Sequence, residues 1–395
     1  MLLLVLVSIA IAGFVISNIK NGIASEAGAQ PAGTGGNILY VGGSGGNNYT
    51  KIQDAIDNAN EGDTIFVFNG TYYENVVVNK SINLIGEDRN TTIIDGGGSG
   101  SAVTVTADGC TIKGFTVTGS DAGIDIRSNY NSIINNTCSN NGFGIYLVSS
   151  NNNTLINNNA SSNFIGISLD SSNNITLSNN TMSGNVYNFG LFGSEDSHFS
   201  NTIDTTNTVD GKPIYYIKDE SNMVIDDTSN AGTIYCIQCE NVTIKDINLT
   251  KNWFGIFFYK TTNSSIENVN TSNNDYGIYL KDSISNSISH STCNSNNPHY
   301  GISLDSSSNN SIYNCNISNN WRGISLDSSS NNSIYLNNFM NNSNNVYSYN
   351  SDNTWHSPMP ITYTYNGNVY TSYLGNYWDG YTGSDANNDG IGDTP

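Results

Sequence analysis

From Gly123 onward, short apolar runs alternate with polar turns at a nearly fixed step. A Gly-Ile-x-Leu-like tetrad begins at Gly123, Gly144, Gly166, Gly190, Gly255, Gly277, Gly301 and Gly323. Successive steps are 21, 22, 24, 65, 22, 24 and 22 residues; the 65 divides into 42 and 23 if Gly232 is a degenerate member. About eleven residues after each tetrad comes a second apolar unit, such as Asn131-Ser132-Ile133-Ile134, Asn310-Ser311-Ile312-Tyr313 and Asn332-Ser333-Ile334-Tyr335. Both units alternate with period two and are β-branched, and Asn, Ser and Gly separate them, which is the pattern of short strands joined by turns. A step of about 22 residues with no helical period predicts one coil of a solenoid per repeat. The predicted fold is all-β, a parallel β-helix.

Stacking the coils tests this reading. Five residues after the second-strand Ile the chain reads Cys138, Ala160, Met182, Leu249, Thr271, Cys293, Ile317 and Phe339, core-type side chains apart from Thr271. Coils rise about 4.8 Å each, so one slot stacks on the next. Asn at the corners tolerates the left-handed backbone of tight turns and hydrogen-bonds up and down a ladder. A solenoid also needs capped ends. Thr50-Lys51-Ile52-Gln53 reads as a capping box, and Ile52, Ala55, Ile56 and Ala59 share one face of a short N-terminal helix. The expected organisation is a cap with first coils at 37–112, repeats at 113–347 and a C-terminal cap at 348–395. Residues 201–230 break the period and read as an excursion from one coil.

Composition agrees with this architecture. Charged residues are 12% of the 395, and about one residue in six is Asn. The net charge of −20 excludes a nucleic-acid binder, which needs a basic surface. Residues 1–16 are almost wholly apolar and Ala27-Gly28-Ala29 offers a small-x-small cleavage site, so 1–29 reads as a signal peptide or an N-terminal anchor. The remainder is therefore expected outside the cytoplasm, at the cell surface. Any membrane contact is expected only through that segment or a part beyond residue 395. Sequons at Asn69, Asn135, Asn174, Asn241, Asn263, Asn316 and Asn341 fit a glycoprotein.

The entry sequence Ile52-Gln53-Asp54-Ala55-Ile56, then Gly62-Asp63-Thr64-Ile65 and Gly70-Thr71-Tyr72, resembles that of the pectin-lyase-like β-helix superfamily. With Gly211-Lys212-Pro213-Ile214-Tyr215-Tyr216 and Gly375-Asn376-Tyr377-Trp378, the chain resembles the NosD-type family. That resemblance implies an exported right-handed parallel β-helix, similar to Asn-rich archaeal surface proteins, and copper delivery as one activity.

The residues themselves offer little to copper. Soft Cu(I) sites gather Met, Cys or His, and here the four His and five Met are scattered. Cys236 and Cys239 form one close thiol pair, read as an interior filler and a turn residue. Cys138 and Cys293 share the inward slot and Cys315 takes an Asn-ladder position, so mostly free thiols are expected. Asp305 and Asp327 fall in one outward slot of adjacent coils, on the order of 5 Å apart, a spacing suited to retaining glycoside hydrolysis. Both belong to a string duplicated at 301–313 and 323–335, which accounts for them without catalysis. At the end, Asp385, Asn387, Asp389, the Ile391 carbonyl and Asp393 take positions 1, 3, 5, 7 and 9 of an EF-hand-like loop with Gly390 at position 6. A structural Ca²⁺ is expected there. The expected function is non-enzymatic binding of a polysaccharide or cell-envelope glycan, with Trp253, Tyr259, Tyr279 and Trp321 as stacking surfaces. A β-helix lyase or hydrolase is the alternative, and NosD-type copper delivery a second.

Overall fold

The computed structural model describes residues 36–393, and the N-terminal apolar segment lies outside them. The chain is a right-handed parallel β-solenoid with about 22 residues per coil. Each coil contributes a tetrad strand, a second strand and a third strand, and equivalent strands pair in register. Ile278, Ile302 and Ile324 lie side by side in the tetrad sheet, and Ile288, Ile312 and Ile334 in the second. The third sheet aligns Leu249, Thr271, Cys293, Ile317 and Phe339, all buried, so the inward slot is continuous. Thr271 is accommodated because its hydroxyl donates to Cys293 Sγ at 3.3 Å.

Corner Asn residues satisfy the backbone where strands end. Asn158 Oδ1 accepts from the Asn136 amide at 3.0 Å, and Asn158 Nδ2 donates to the Ile133 carbonyl at 2.8 Å. The same arrangement runs from Asn252 through Asn274 and Asn296 to Asn320. Other Asn corners, among them Asn135, Asn157 and Asn179, adopt φ of 56, 58 and 55°. That conformation costs Asn less than most side chains.

Three details differ from the sequence reading. The helix Ile52–Asn58 buries Ile52, Ala55 and Ile56 as its periodicity requires, but Thr50 does not cap it. Lys51 is the N-cap residue and its side chain makes no cap bond. Glu74 does the capping, its two carboxylate oxygens accepting from the Ile52 and Gln53 amides at 2.9 and 3.1 Å. A carboxylate at a helix start also favours the helix dipole. Second, Gly190 is not a tetrad glycine. Ile167 and Leu169 pair with Phe189 and Leu191, so the coil unit is Asn188-Phe189-Gly190-Leu191 and that step is 22 residues rather than 24. Third, the segment at 201–230 redirects the solenoid. Thr208–Val209, the last third-strand of the first stack, is followed after Asp210-Gly211 by an antiparallel strand, Lys212–Lys218. That strand begins the tetrad sheet of a second stack by pairing parallel with Thr233–Ile237.

The two stacks meet at an elbow. Strands Thr233–Ile237 and Phe254–Tyr259 are buried at every residue, so both their faces are covered. Ile234, Cys236, Ile256 and Phe258 face the second core, whereas Tyr235, Phe254, Phe257 and Tyr259 join the first. Phe189 packs on Tyr235 with ring centroids 5.5 Å apart, and Phe199 on Phe257 at 5.6 Å. The outer face of the second stack thus closes the end of the first.

The C-terminal end is closed from the chain itself. Tyr377–Trp378 adds to the third sheet beside Asn338 and Phe339, Trp378 stacks on Phe339 at 4.4 Å, and Asn376 ends an Asn ladder. A hairpin, Ile361–Tyr365 with Asn368–Ser372, precedes it. No helix among the described residues is long and apolar enough to cross a membrane.

Candidate functional site

Beside the elbow, the outward residues of the second tetrad sheet form columns. Phe254, Tyr276, Tyr300 and Arg322 are aligned by strand register. Just ahead of them, between each ladder Asn and the strand, the chain inserts Trp253, Asp275 and Trp321 singly. In one coil three residues stand there instead, Asn297, Pro298 and His299. That longer turn, with a cis Asn297–Pro298 peptide, accounts for the 24-residue step between Gly277 and Gly301 and delivers His299 to the face.

Asp275 and His299 meet there. Asp275 Oδ1 lies 2.6 Å from His299 Nδ1, the carboxylate being fully buried and the imidazole one-third exposed. Asp275 Oδ2 is buried with no hydrogen-bond partner. The Tyr187 hydroxyl beside it gives its one hydrogen to the Asn297 carbonyl at 2.6 Å. Burial raises the Asp275 carboxyl above its usual range, with His299 opposing the shift. The imidazole lies flat against Tyr276, centroids 5.2 Å apart and planes 9° from parallel. With Trp253, Phe192 and Tyr279 it lines a cleft of about 330 Å³.

The aromatic surface continues outward from the cleft. Tyr300 stacks on Trp321 at 5.9 Å and 18°, and Trp321 is 42% exposed. The Arg322 guanidinium lies 4.5 Å from the Trp321 ring and 3.8 Å from that of Tyr347, and Nη1 donates to the Tyr300 hydroxyl at 3.2 Å. Among the described residues Arg322 pairs with no carboxylate, although the chain carries a charge of −20.

The residues singled out from sequence fall differently. Trp253 and Tyr279 are half-buried at the cleft and Trp321 is exposed. Tyr259 is not available for stacking. It is 2% exposed under Phe199 and donates its hydroxyl to Asp196, because the elbow covers its strand. Asp305 and Asp327 are register neighbours, but their environments differ. Asp305 pairs with Lys281 at 2.9 Å and accepts from the Tyr279 hydroxyl at 3.1 Å, while Asp327 is exposed. The sequence reading did not single out Asp275 or pair it with His299, and the signal for His299 was the lengthened turn.

At the C-terminus, Asp385 accepts from the Asp389 and Gly390 amides at 3.0 and 2.9 Å. Asp389 accepts from the Ile391 amide at 2.8 Å and from Asn387 Nδ2 at 3.0 Å, and Asp393 from the Ala386 amide at 2.7 Å. The loop is closed by its own backbone. No group of three or more His, Cys, Asp or Glu among the described residues is placed to hold a metal ion.

Residues 191–383 match the NosD family, described as a periplasmic copper-binding protein, and residues 82–229 match the right handed beta helix region. A cell surface glycoprotein of Methanothermus fervidus is 36% identical over 98 residues, 24% of this chain; the chain spans only 16% of that relative. Among solved structures, the catalytic domain of a GH87 alpha-1,3-glucanase in complex with tetrasaccharides is 16% identical. Its TM-score is 0.43, over 84% of this chain and 70% of that one. The A-module of the Azotobacter vinelandii mannuronan C-5 epimerase AlgE6 is 15% identical with a TM-score of 0.35, over 77% and 93%. The donors here do not fit copper. All six thiols are free and buried, and Cys236, Cys239, Cys293 and Cys315 lie inside the second core. His299 is held by Asp275, and His290 neighbours Asn314 rather than a second soft donor.

Proposed function

Since the chain belongs to the NosD-like right-handed β-helix proteins, we propose that it is an exported cell-surface solenoid that binds glycan on the aromatic face beside its elbow. The observation that carries this reading is the shelf of Trp253, Tyr276, Tyr300 and Trp321, set on successive coils about 4.8 Å apart and open to solvent at Trp321. Aromatic rings offer sugars an apolar plane, and the neighbouring Asn, Ser and Tyr groups offer hydrogen bonds. Surface location is supported by the glycoprotein relative and by the sequons, of which Asn69, Asn174, Asn241, Asn263, Asn316 and Asn341 are exposed and Asn135 half-buried.

The test is a glycan array probed with the purified chain and with Trp321→Ala. Binding to a defined set of polysaccharides, weakened about tenfold or more in the variant, is expected from the loss of one stacking ring. Equal binding by both proteins, or none by either, removes the shelf from the function.

We propose, from the alternation of Asp385, Asn387, Asp389, the Ile391 carbonyl and Asp393 around Gly390, that the C-terminal loop takes Ca²⁺ as a structural ion when its carboxylates turn from the backbone amides to the cation. Copper delivery is set aside for want of a soft donor set.

A further inference from the structure

Three sheets of the first stack reach the elbow, and two of them are covered there. The last tetrad strand, Tyr187–Phe192, is met by residues 251–253, and Thr208–Val209 is paired by Lys212–Lys218. The second-strand sheet ends at Thr202–Ile203 with no strand beyond it. The Thr202 and Asp204 amides donate back into the stack, to the Ile175 and Leu177 carbonyls at 2.8 and 3.4 Å. Ile203 therefore turns its N–H and C=O the other way. Neither it nor Thr205 has a backbone partner among the described residues. An open strand edge is a template for another strand, and folded proteins ordinarily cover it.

This edge faces a second one across a cleft of about 520 Å³, between residues 201–205 and 215–223. On the far wall the Ile214 amide donates to the Asn207 carbonyl at 2.9 Å. Tyr216 and Lys218, two and four residues on, therefore present their backbone groups to the same side, and neither has a partner there among the described residues. Tyr215, Ile217 and Met223 supply an apolar lining, and the cleft shares no residue with the one beside His299. Its charge is one-sided. Asp204 and Glu220 line it with no basic partner among the described residues, while Lys218 lies 3.8 Å from Asp219.

We propose that this cleft docks an extended, basic peptide segment of a partner protein, which enters as an added strand on the Thr202–Ile203 edge. Its main chain pairs with Ile203 and Thr205 on one wall and with Tyr216 and Lys218 on the other. Alternate apolar side chains meet Tyr215 and Met223, and the Lys or Arg residues between them meet Asp204 and Glu220. Main-chain bonds hold the segment, and the acidic rim selects a cationic one. The elbow then fastens the solenoid to a second protein while the aromatic shelf stays open.

The experiment titrates the full chain into a short fluorescent peptide of alternating lysine and valine and reads anisotropy. Saturable binding is expected. Methylating alternate backbone nitrogens of the peptide, or replacing its lysines by glutamate, should weaken it about tenfold or more. Thr205 holds the second position of the turn closed by the Asn207 amide on the Asp204 carbonyl at 3.2 Å, a position that favours Pro. Thr205→Pro thus removes a free donor and keeps the turn. It and Glu220→Lys should each weaken binding about threefold or more with melting temperature unchanged, and Trp321→Ala should bind as the unaltered chain does. No saturation below about 1 mM, equal binding of the methylated or acidic peptide, or equal binding by both cleft variants overturns the inference. So does self-association of the chain that shuts the peptide out, which gives the cleft to a second copy.

Discussion

The backbone amide of Trp253 donates to the carbonyl of Phe189 at 3.1 Å, and the Asn188 amide donates to the Lys251 carbonyl at 2.7 Å. These bonds tie the last tetrad strand of the first stack to the turn that opens the site in the second. The elbow is therefore a packed junction, stitched by backbone bonds and filled by Phe189, Phe199, Tyr235 and Phe257.

Phe199→Ala should expose what that junction is worth. Phe199 is 1% exposed, and its ring sits between Phe257 and Tyr259. Truncating a buried Phe costs about 3–5 kcal/mol. Chemical denaturation should show that loss and, with the two stacks uncoupled, a second transition. A single unfolding transition shifted by less than about 1 kcal/mol would mean that Phe199 does not hold the two stacks together.

Asn158→Ala tests the ladder. The substitution strips the side-chain partner from the Asn136 amide and the Ile133 carbonyl, both in buried surroundings, while Asn180 Oδ1 keeps the Asn158 backbone amide. Each buried group left unpaired costs about 1–3 kcal/mol, so a loss of about 3 kcal/mol or more is expected. Asn338→Thr, on an exposed strand position, is the control and should change stability by about 0.5 kcal/mol at most.

Much of this architecture is legible in the sequence because a solenoid repeats one physical problem. The inward slot from Leu249 to Phe339, the corner Asn residues and the buried thiols all follow from stacking coils at a step of 22. The helix cap was not legible. Glu74 lies 22 residues from Ile52, and only the finished first coil brings it there. The elbow left a trace in Asp210-Gly211, a hairpin signal, but the hairpin alone does not say which sheet the return strand will join. The site left a clearer trace. Stacking the outward positions, rather than only the inward ones, aligns Trp253, Asp275, His299 and Trp321, and the 24-residue step marks the odd coil. Gly190 obscured this by imitating a tetrad two residues out of register.

Alkaline pH should loosen the fold through its cysteines. Burial pushes the Cys293 and Cys315 thiols up to about 12, whereas in the unfolded chain thiols ionise near pH 8.5, roughly. Below that value both states keep the proton and stability is unaffected. Above it the unfolded state binds fewer protons, so stability falls until the buried thiols ionise as well. Melting temperature should decline between about pH 9 and 12. Iodoacetamide at pH 8 should leave all six thiols intact until denaturant is added. Rapid alkylation of the native chain would place a thiol at the surface.

The calcium assignment has a direct test. Melting in EDTA and in millimolar Ca²⁺ should differ for this chain and coincide for Asp385→Ala with Asp389→Ala. The gain is RT ln(1 + [Ca²⁺]/Kd), about 2.7 kcal/mol at a hundredfold excess over Kd. Extracellular loops of this kind bind at roughly 10⁻⁴ to 10⁻³ M. Identical melting of the unaltered chain in both buffers would mean that the loop is held by its own hydrogen bonds and by those of Tyr363 and Tyr370 to the Asp389 and Asn388 carbonyls.

The string shared by 301–313 and 323–335 shows how such a face changes over generations. Copying one coil inserts a self-sufficient unit: its Ile, Leu and Asn find the same partners above and below that the parent coil had. The face lengthens by one step of about 4.8 Å. Reach is therefore inherited in whole coils, like marks on a ruler. Copying is harmless at 301–335 and harmful at 233–259, where the strands have a neighbour on each face and room for no newcomer.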